Sequence, residues 1–168
     1  MRETLVLTVL GPDRTGLVET LADRIAAAGG NWEASHMARL AGQFAGLVLV
    51  TAERDHADRV RSALRGLDGL EVSLRVSTAP PPAPGERVRL ELTGADRPGI
   101  VRDVARVLAE RGVNVEELES SVTSAAMSGE PLFTARAVLH LPPQLTLADV
   151  RSGLEALSSE LMVDLTTG

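Results

Sequence analysis

The chain has 168 residues, 44% of them apolar but only three aromatic, no cysteine and no lysine, and its 17 arginines against 23 acids leave a net charge of −6. That length bounds it to one or two small domains, and the missing cysteines exclude disulfides, thiolate nucleophiles and cysteine-ligated zinc. The acidic balance and the scarcity of aromatics count against phosphate-driven or base-stacking nucleic-acid binding.

Met1-Arg2-Glu3-Thr4 leads straight into an alternating run with no secretory apolar core, and no apolar segment approaches the length of a membrane span, so a cytoplasmic protein is expected. Leu5, Leu7 and Val9 alternate with Val6, Thr8 and Leu10, the pattern of a largely buried strand. Gly11-Pro12-Asp13 breaks it. From about Thr15, Leu17, Val18, Leu21, Ala22, Ile25 and Ala28 recur at helical spacing until Gly29-Gly30 stops the run. Asn31 to Leu40 reads as extended, Ala41-Gly42-Gln43 as a turn and Phe44 to Thr51 as the returning strand of a hairpin. Asp55 is placed to cap a second helix carrying Ala57, Val60, Leu64 and Leu67, and Val72, Leu74 and Val76 supply a fourth strand.

The run Ala79-Pro80-Pro81-Pro82-Ala83-Pro84-Gly85 cannot pair in a sheet, and its polyproline bias makes residues 79–86 a semi-rigid spacer reaching on the order of 20 Å. It separates a domain over residues 1–78 from one over 87–168. Residues 1–79 carry 9 arginines against 10 acids and residues 86–168 carry 8 against 13, so neither half has a basic excess.

The second half repeats the order. Val88, Leu90 and Leu92 alternate with Arg89, Glu91 and Thr93, as in a sheet with one wet face. Ile100, Val101, Val104, Ala105 and Leu108 form a helix stripe closed by Gly112. Val113 to Thr123 is the next strand, Ser124 to Pro131 a longer turn that includes Met127, and Leu132 to Leu141 the return. After Pro142-Pro143, Thr146 with Asp149 has the spacing of a capping box; Val150, Leu154 and Leu157 face one way, and Leu161, Val163 and Leu165 make the last strand.

Gly94-Ala95-Asp96-Arg97-Pro98-Gly99-Ile100-Val101 matches Gly11-Pro12-Asp13-Arg14-Thr15-Gly16-Leu17-Val18 at an offset of 83, and Gly29, Asn31 and Glu33 recur at the same offset as Gly112, Asn114 and Glu116. The chain is therefore a duplication of a β-α-β-β-α-β unit, the α+β ferredoxin-like arrangement of a four-stranded antiparallel sheet with two helices on one face. The repeated loop ends at a helix start, where free backbone N–H groups favour an anion and a glycine admits close approach of a ligand. Asn31 or Asn114 adds an amide that both donates and accepts, a chemistry suited to an amino acid. A second reading is purely structural: Asp13 and Asp96 cap their helices, Pro98 occupies a first turn, and the glycines permit tight packing.

Asp-Arg-Pro-Gly-Ile-Val, followed by a helix, a glycine and Asn-Val, resembles the ACT domain, a small regulatory module whose usual ligand is an amino acid. The whole pattern, with Met37-Ala38-Arg39-Leu40-Ala41-Gly42-Gln43-Phe44 and Met127-Ser128-Gly129-Glu130-Pro131-Leu132-Phe133, is similar to tandem-ACT regulators of amino-acid and one-carbon metabolism. The resemblance implies a ligand held where paired ACT units meet, on Asp13, Arg14, Gly16, Leu17 and Asn31, and on Asp96, Arg97, Gly99, Ile100 and Asn114. Glycine or serine is the expected ligand, a homodimer the expected assembly, and a transcription regulator or metabolic enzyme the expected protein partner, with no cofactor, no metal, no direct nucleic-acid contact and no membrane. Thr15, where the second copy has Pro98, departs from the pattern and leaves the first loop less rigid.

No catalytic set emerges. His36, His56 and His140 lie at no metal-ligand spacing, Ser120-Ser121 lacks a nucleophile-elbow context, and Gly11 to Gly16 forms neither a P-loop nor a dinucleotide fingerprint. Asp96 with Glu116 or Glu117 reads as solvated charge, and Met37, Met127 and Trp32 as packing residues, with Trp32 next to Asn31 and so placed to wall a cleft. The expectation is a non-enzymatic regulator; the alternative is a ligand-blind subunit that docks a metabolic enzyme.

Overall fold

A computed structural model describes residues 1–78, 83–124 and 129–167. The chain divides into two compact units, Met1–Pro80 and Pro81–Gly168. The expectations for Pro80-Pro81-Pro82 and for Met127 fall outside the described residues.

Unit 1 runs β1 (Arg2–Pro12), α1 (Leu17–Ala27), β2 (Gly30–Leu40), β3 (Gln43–Glu53), α2 (Arg54–Leu64) and β4 (Glu71–Val76), with sheet order β2-β3-β1-β4. Unit 2 repeats it as β5 (Glu86–Ala95), α3 (Ile100–Glu110), β6 (Asn114–Ser124), β7 (Pro131–Leu141), α4 (Leu147–Glu155) and β8 (Met162–Thr167), in the order β6-β7-β5-β8. Every strand pair is antiparallel. Each sheet is thus the ferredoxin-like one read from the sequence.

The cores follow from period. On β1, Leu5, Leu7 and Val9 are almost fully buried, and they meet Leu17, Leu21 and Ile25, spaced four apart on α1. Ala57, Val60 and Leu64 bring α2 onto the same face, and Trp32 and Met37 pack against the edge of this core as expected. In unit 2 the counterparts are Val88, Leu90 and Leu92 under Ile100, Val104 and Leu108, with Val150 and Leu154 from α4. At roughly 1.5–3 kcal/mol for each large aliphatic side chain removed from water, these two clusters are the main stabilising contribution.

Gly29 and Gly112 end α1 and α3 in left-handed conformations. Thr146 and Asp149 do form a capping box, each side chain accepting the other residue's backbone N–H at 3.0–3.2 Å. Two boundaries differ from the sequence reading. The first helix begins at Leu17, two residues later than Thr15, because the turn through Gly16 precedes it. Asp55 lies inside the first turn of α2, where its carboxylate favours the helix dipole, and Glu53 holds the cap position without a side-chain bond.

The equivalent edge strands β2 and β6 carry the same defect. The β2–β3 register slips between Trp32 and Ala34 and the β6–β7 register between Val115 and Glu117, so Glu33 and Glu116 are equivalent bulge residues. Glu33 accepts from Asn31 Nδ2 at 2.8 Å and Thr51 Oγ1 at 2.7 Å, and these bonds hold its carboxyl below the usual range. Glu116 instead pairs with Arg87 at 2.7 Å and faces His140 Nδ1 at 3.7 Å.

Candidate functional site

The repeated loop closes the same way in both units. Asp13 N–H donates to the carbonyl of Gly42 in the β2–β3 turn, and Asp96 N–H donates to that of Pro131, both at 2.9 Å, which ties the loop to the hairpin beside it. The chain then enters each helix through a left-handed glycine, Gly16 at φ 86° and Gly99 at φ 85°. A side chain at such a dihedral is strained by about 1–2 kcal/mol, which is why glycine stands at both positions. Around Gly16 the space is open, the nearest atom to an added Cβ being Glu19 Oε2 at 3.8 Å.

Neither helix start receives a side-chain cap. The structural reading in which Asp13 and Asp96 cap their helices therefore fails: the glycine occupies the cap position three residues beyond each aspartate, and Pro98 lies ahead of the helix rather than in its first turn. Leu17 and Ile100, the first helical residues, are buried and anchor the loops to the cores. What remains at each helix start is a set of backbone donors with the positive end of a helix dipole behind them.

The equivalent arginines are used differently. Arg14 donates to the backbone carbonyl of Asp68, in the loop after α2, at 2.8 Å, so its charge is not neutralised by that bond. Asp13 is paired instead with Arg39 at 2.7 Å. In unit 2, Arg97 turns to Asp103 on α3 at 2.8 Å, and Arg102 joins from 3.1 Å. Those guanidiniums hold the Asp103 carboxyl below the usual aspartate range. Arg97 leaves a hollow of about 80 Å³ between its loop and the loop after α4, lined by Asp96, Ile100, Ser158, Glu160 and Leu161 among others.

The structure separates the two predicted halves of each site. Asn31 pairs across to Thr51, level with Thr4 at the start of β1, while Asp13 follows Pro12 at its end. Because the crossover helix returns the chain to the edge it left, β1 and β2 run the same way, and eight residues at ~3.3 Å per residue set the loop and the amide about 26 Å apart. Asn114, opposite His140, stands at the far end from Ala95 in the same way. Asn31 is moreover engaged with Glu33. Within one unit, then, Asp13, Arg14, Gly16 and Leu17 gather together, as do Asp96, Arg97, Gly99 and Ile100, and the two asparagines do not join them.

Sequence reading missed Arg39, Asp103 and the loop Leu157–Leu161. An aspartate among Arg97, Arg102 and Arg106 was the available signal for the second of these. Nothing local announces the third, which sequence places some sixty residues from the loop it faces. His56 covers Gly29, where an added Cβ would come within 2.5 Å of its ring. Among the described residues there is no group of three or more histidines and acids able to hold a metal, and no helix long and apolar enough to cross a membrane.

An ACT-domain model matches residues 3–77 and a second ACT-domain model matches residues 88–152. The chain is 27% identical over 161 residues to the glycine cleavage system transcriptional repressor of Escherichia coli strain K12, an alignment covering 94% of this chain and 85% of that one. The protein of the same name from Shigella flexneri matches equally. Among solved structures, that of an unknown protein from Galdieria sulphuraria is similar with a TM-score of 0.88 and 30% identity, over 100% of this chain and 99% of that one.

Proposed function

Since this chain belongs to the ACT-domain family in both of its halves, we propose that it is a non-catalytic regulatory protein that binds a small amino acid, glycine or serine first, at the loop before α1. The bound ligand sets its hold on a protein partner, through which transcription of genes of amino-acid or one-carbon metabolism, such as those of the glycine cleavage system, is controlled. The relatives named as glycine cleavage system transcriptional repressors support the regulatory part of this reading.

One observation carries the site: α1 starts at an uncapped left-handed glycine, and Arg14 just before it donates to a backbone carbonyl rather than to an acid. Backbone N–H groups, the helix dipole and the Arg14 guanidinium together suit the carboxylate of an amino acid. A metabolite sensor working at micromolar to millimolar ligand corresponds to about −8 to −4 kcal/mol, within reach of a few such charge-assisted bonds. To regulate, the ligand must bind one state of the protein better than another, so the partner's affinity and the ligand's change by the same factor.

The second reading, a ligand-blind subunit that docks a metabolic enzyme, is favoured at the other loop, where Arg97 is already committed to Asp103. Calorimetric titration with glycine, serine and the remaining amino acids decides between them. Saturable binding by the wild-type chain that is lost in Gly16→Val and kept in Gly99→Val supports the sensor; no binding by any amino acid to the folded chain sinks it in favour of the docking subunit.

A further inference from the structure

The helices cover one face of each sheet and leave the other bare. In unit 2 the bare face carries a hollow of about 300 Å³, lined by Glu91, Thr93, Glu119, Ser121, Thr134 and Arg136 among others. That volume reaches the lower end of the range of small-molecule sites. The register sets its polar lining as two cross-strand rows, Glu119-Arg136-Glu91 and Ser121-Thr134-Thr93, contributed by β6, β7 and β5 in that order.

The first row alternates in charge. Arg136 stands between two carboxylates on strands ~4.8 Å to either side, so the two acids spring from backbone positions roughly 10 Å apart. Arg136 Nε lies 3.5 Å from Glu91, and both side chains are largely exposed, so this pair is loose and open to exchange. Among the described residues nothing pairs with Glu119. Beyond Glu91 the row ends at Asp164, which faces Arg151 at 3.9 Å. In the second row the hydroxyls of Ser121 and Thr134 share a hydrogen bond of 2.9 Å.

Folding the sheet does not require this lining. At the same places unit 1 carries His36, Leu47 and Thr8 in one row and Ala38, Ala45 and Leu10 in the other, on a sheet of the same strand order. The alternating charges are therefore a property of unit 2 and not of the topology.

We infer that this hollow binds a basic amino acid, one with a second cationic group at the end of its side chain. The ligand's carboxylate meets Arg136, its α-ammonium meets the unpaired Glu119, and its side-chain cation meets Glu91, with the Ser121 and Thr134 hydroxyls alongside. Each charge of the row then faces its opposite. The four-carbon stem of a lysine side chain separates its two ammonium groups enough to reach acids on either side of one arginine. Glycine and serine have no second cation, so this site differs from the loop before α1 in both place and ligand. Because the hollow is open and its charges are screened, binding is weak and salt-sensitive, with a dissociation constant of about 0.1–5 mM.

Titration of the full chain with L-lysine, followed by backbone amide chemical shifts, tests this. The expected result is saturable binding that moves the amides of Glu119 and Arg136. Norleucine, which lacks the second ammonium, and cadaverine, which lacks the carboxylate, should each bind about tenfold more weakly. Glu119→Gln and Arg136→Gln, both changes at exposed side chains, should also weaken lysine binding about tenfold with the melting temperature unchanged. Gly16→Val should leave lysine binding as it is, and the loop site is read with glycine and serine, so each reading can fail alone. No saturable lysine binding, equal binding of norleucine, or binding that survives both charge substitutions overturns the proposal. Loss of lysine binding in Gly16→Val overturns it too, since the ligand would then sit at the loop before α1.

Discussion

At matched positions on the bare sheet faces, unit 1 carries Thr8, Leu10, His36, Ala38, Ala45 and Leu47 where unit 2 carries Glu91, Thr93, Glu119, Ser121, Thr134 and Arg136. On the helix-covered faces the two agree in character, Leu5, Leu7 and Val9 against Val88, Leu90 and Leu92. The fold constrains only the side that must be buried; the other side is free to take on a separate role in each copy. The strip beside the first helix also differs. Trp32 and Met37 fill it in unit 1, while Val115 and Ser120 stand there in unit 2, beside an apolar cleft of about 40 Å³ bordered by Val101, Leu118 and Phe133.

The comparison breaks most sharply at the glycines that close each sheet. An added Cβ at Gly11 would stand 2.2 Å from the backbone carbonyl oxygen of Gly69, whereas at Gly94 the nearest atom is a movable Leu161 methyl at 3.0 Å. Gly11→Val is expected to destabilise unit 1 by about 3 kcal/mol or more and Gly94→Val to destabilise unit 2 by only about 1–2 kcal/mol. Hydrogen exchange followed separately in the two units reads both, and equal protection losses would contradict the geometry.

The arginine clasp in unit 2 gives the next difference. A carboxyl held below its ordinary value stabilises the fold above the unfolded pKa of ~3.9 and ceases to do so as pH falls through the lower folded value. Asp103→Asn should therefore lower the melting temperature at pH 7, with the gap to wild type narrowing below about pH 4. In unit 1 the same helix position is Thr20, whose hydroxyl donates to the Gly16 carbonyl at 2.8 Å, so Thr20→Ala should show a pH-independent loss. A melting-temperature profile against pH for both variants checks this, and a constant gap for Asp103→Asn would remove the clasp from the account.

For ligand binding, Arg14→Ala is expected to weaken amino-acid affinity about tenfold, or ~1.4 kcal/mol. Arg97→Ala should leave it within about twofold, since Asp103 already occupies that guanidinium. Titration of each variant makes the distinction. The smallest effect is at the second helices: Thr146→Ala should cost about 1 kcal/mol through its capping box, while Glu53→Ala removes no side-chain cap from α2 and should differ little in that helix's exchange protection.

Much of this was legible from residue spacing. Period two in the inner strands and period 3.6 in the helices located most of the elements, because each of these buries one side and the burial is written into the apolar pattern, whereas β2 and β6, with no fully buried residue, were placed by their position between a helix and a returning strand. The capping box at Thr146 was readable because all of its partners lie within four residues. The start of α1 was misplaced because a left-handed glycine sits among residues that look helical, and the cap of α2 because Asp55 has the right chemistry two positions too late. The site was half legible. Asp13 through Leu17 and Asp96 through Ile100 are local in sequence and stay local in space. Within one unit Asn31 and Asn114 stand at the far end of the sheet from those loops, because the helix carries the chain back along the sheet, a step that the sequence conceals. The different use of Arg14 and Arg97 depends on contacts with Asp68 and Asp103, which a repeat of identical residues does not reveal.

The strand order of unit 1 bears on how the chain is made. Its inner strand β1 waits for β4, and β4 is complete at Val76, before the proline run begins. Unit 2 then takes roughly 4–16 s to follow at ~5–20 residues per second of synthesis. During that interval the first copy can close its own sheet while no second set of matching strands exists to compete for β1. Two units of the same topology in one chain invite exchange of equivalent strands, and serial emergence from the ribosome removes the rival at the moment of choice. A chain refolded all at once from denaturant lacks this separation in time and is the setting in which β8 competes for the place of β4.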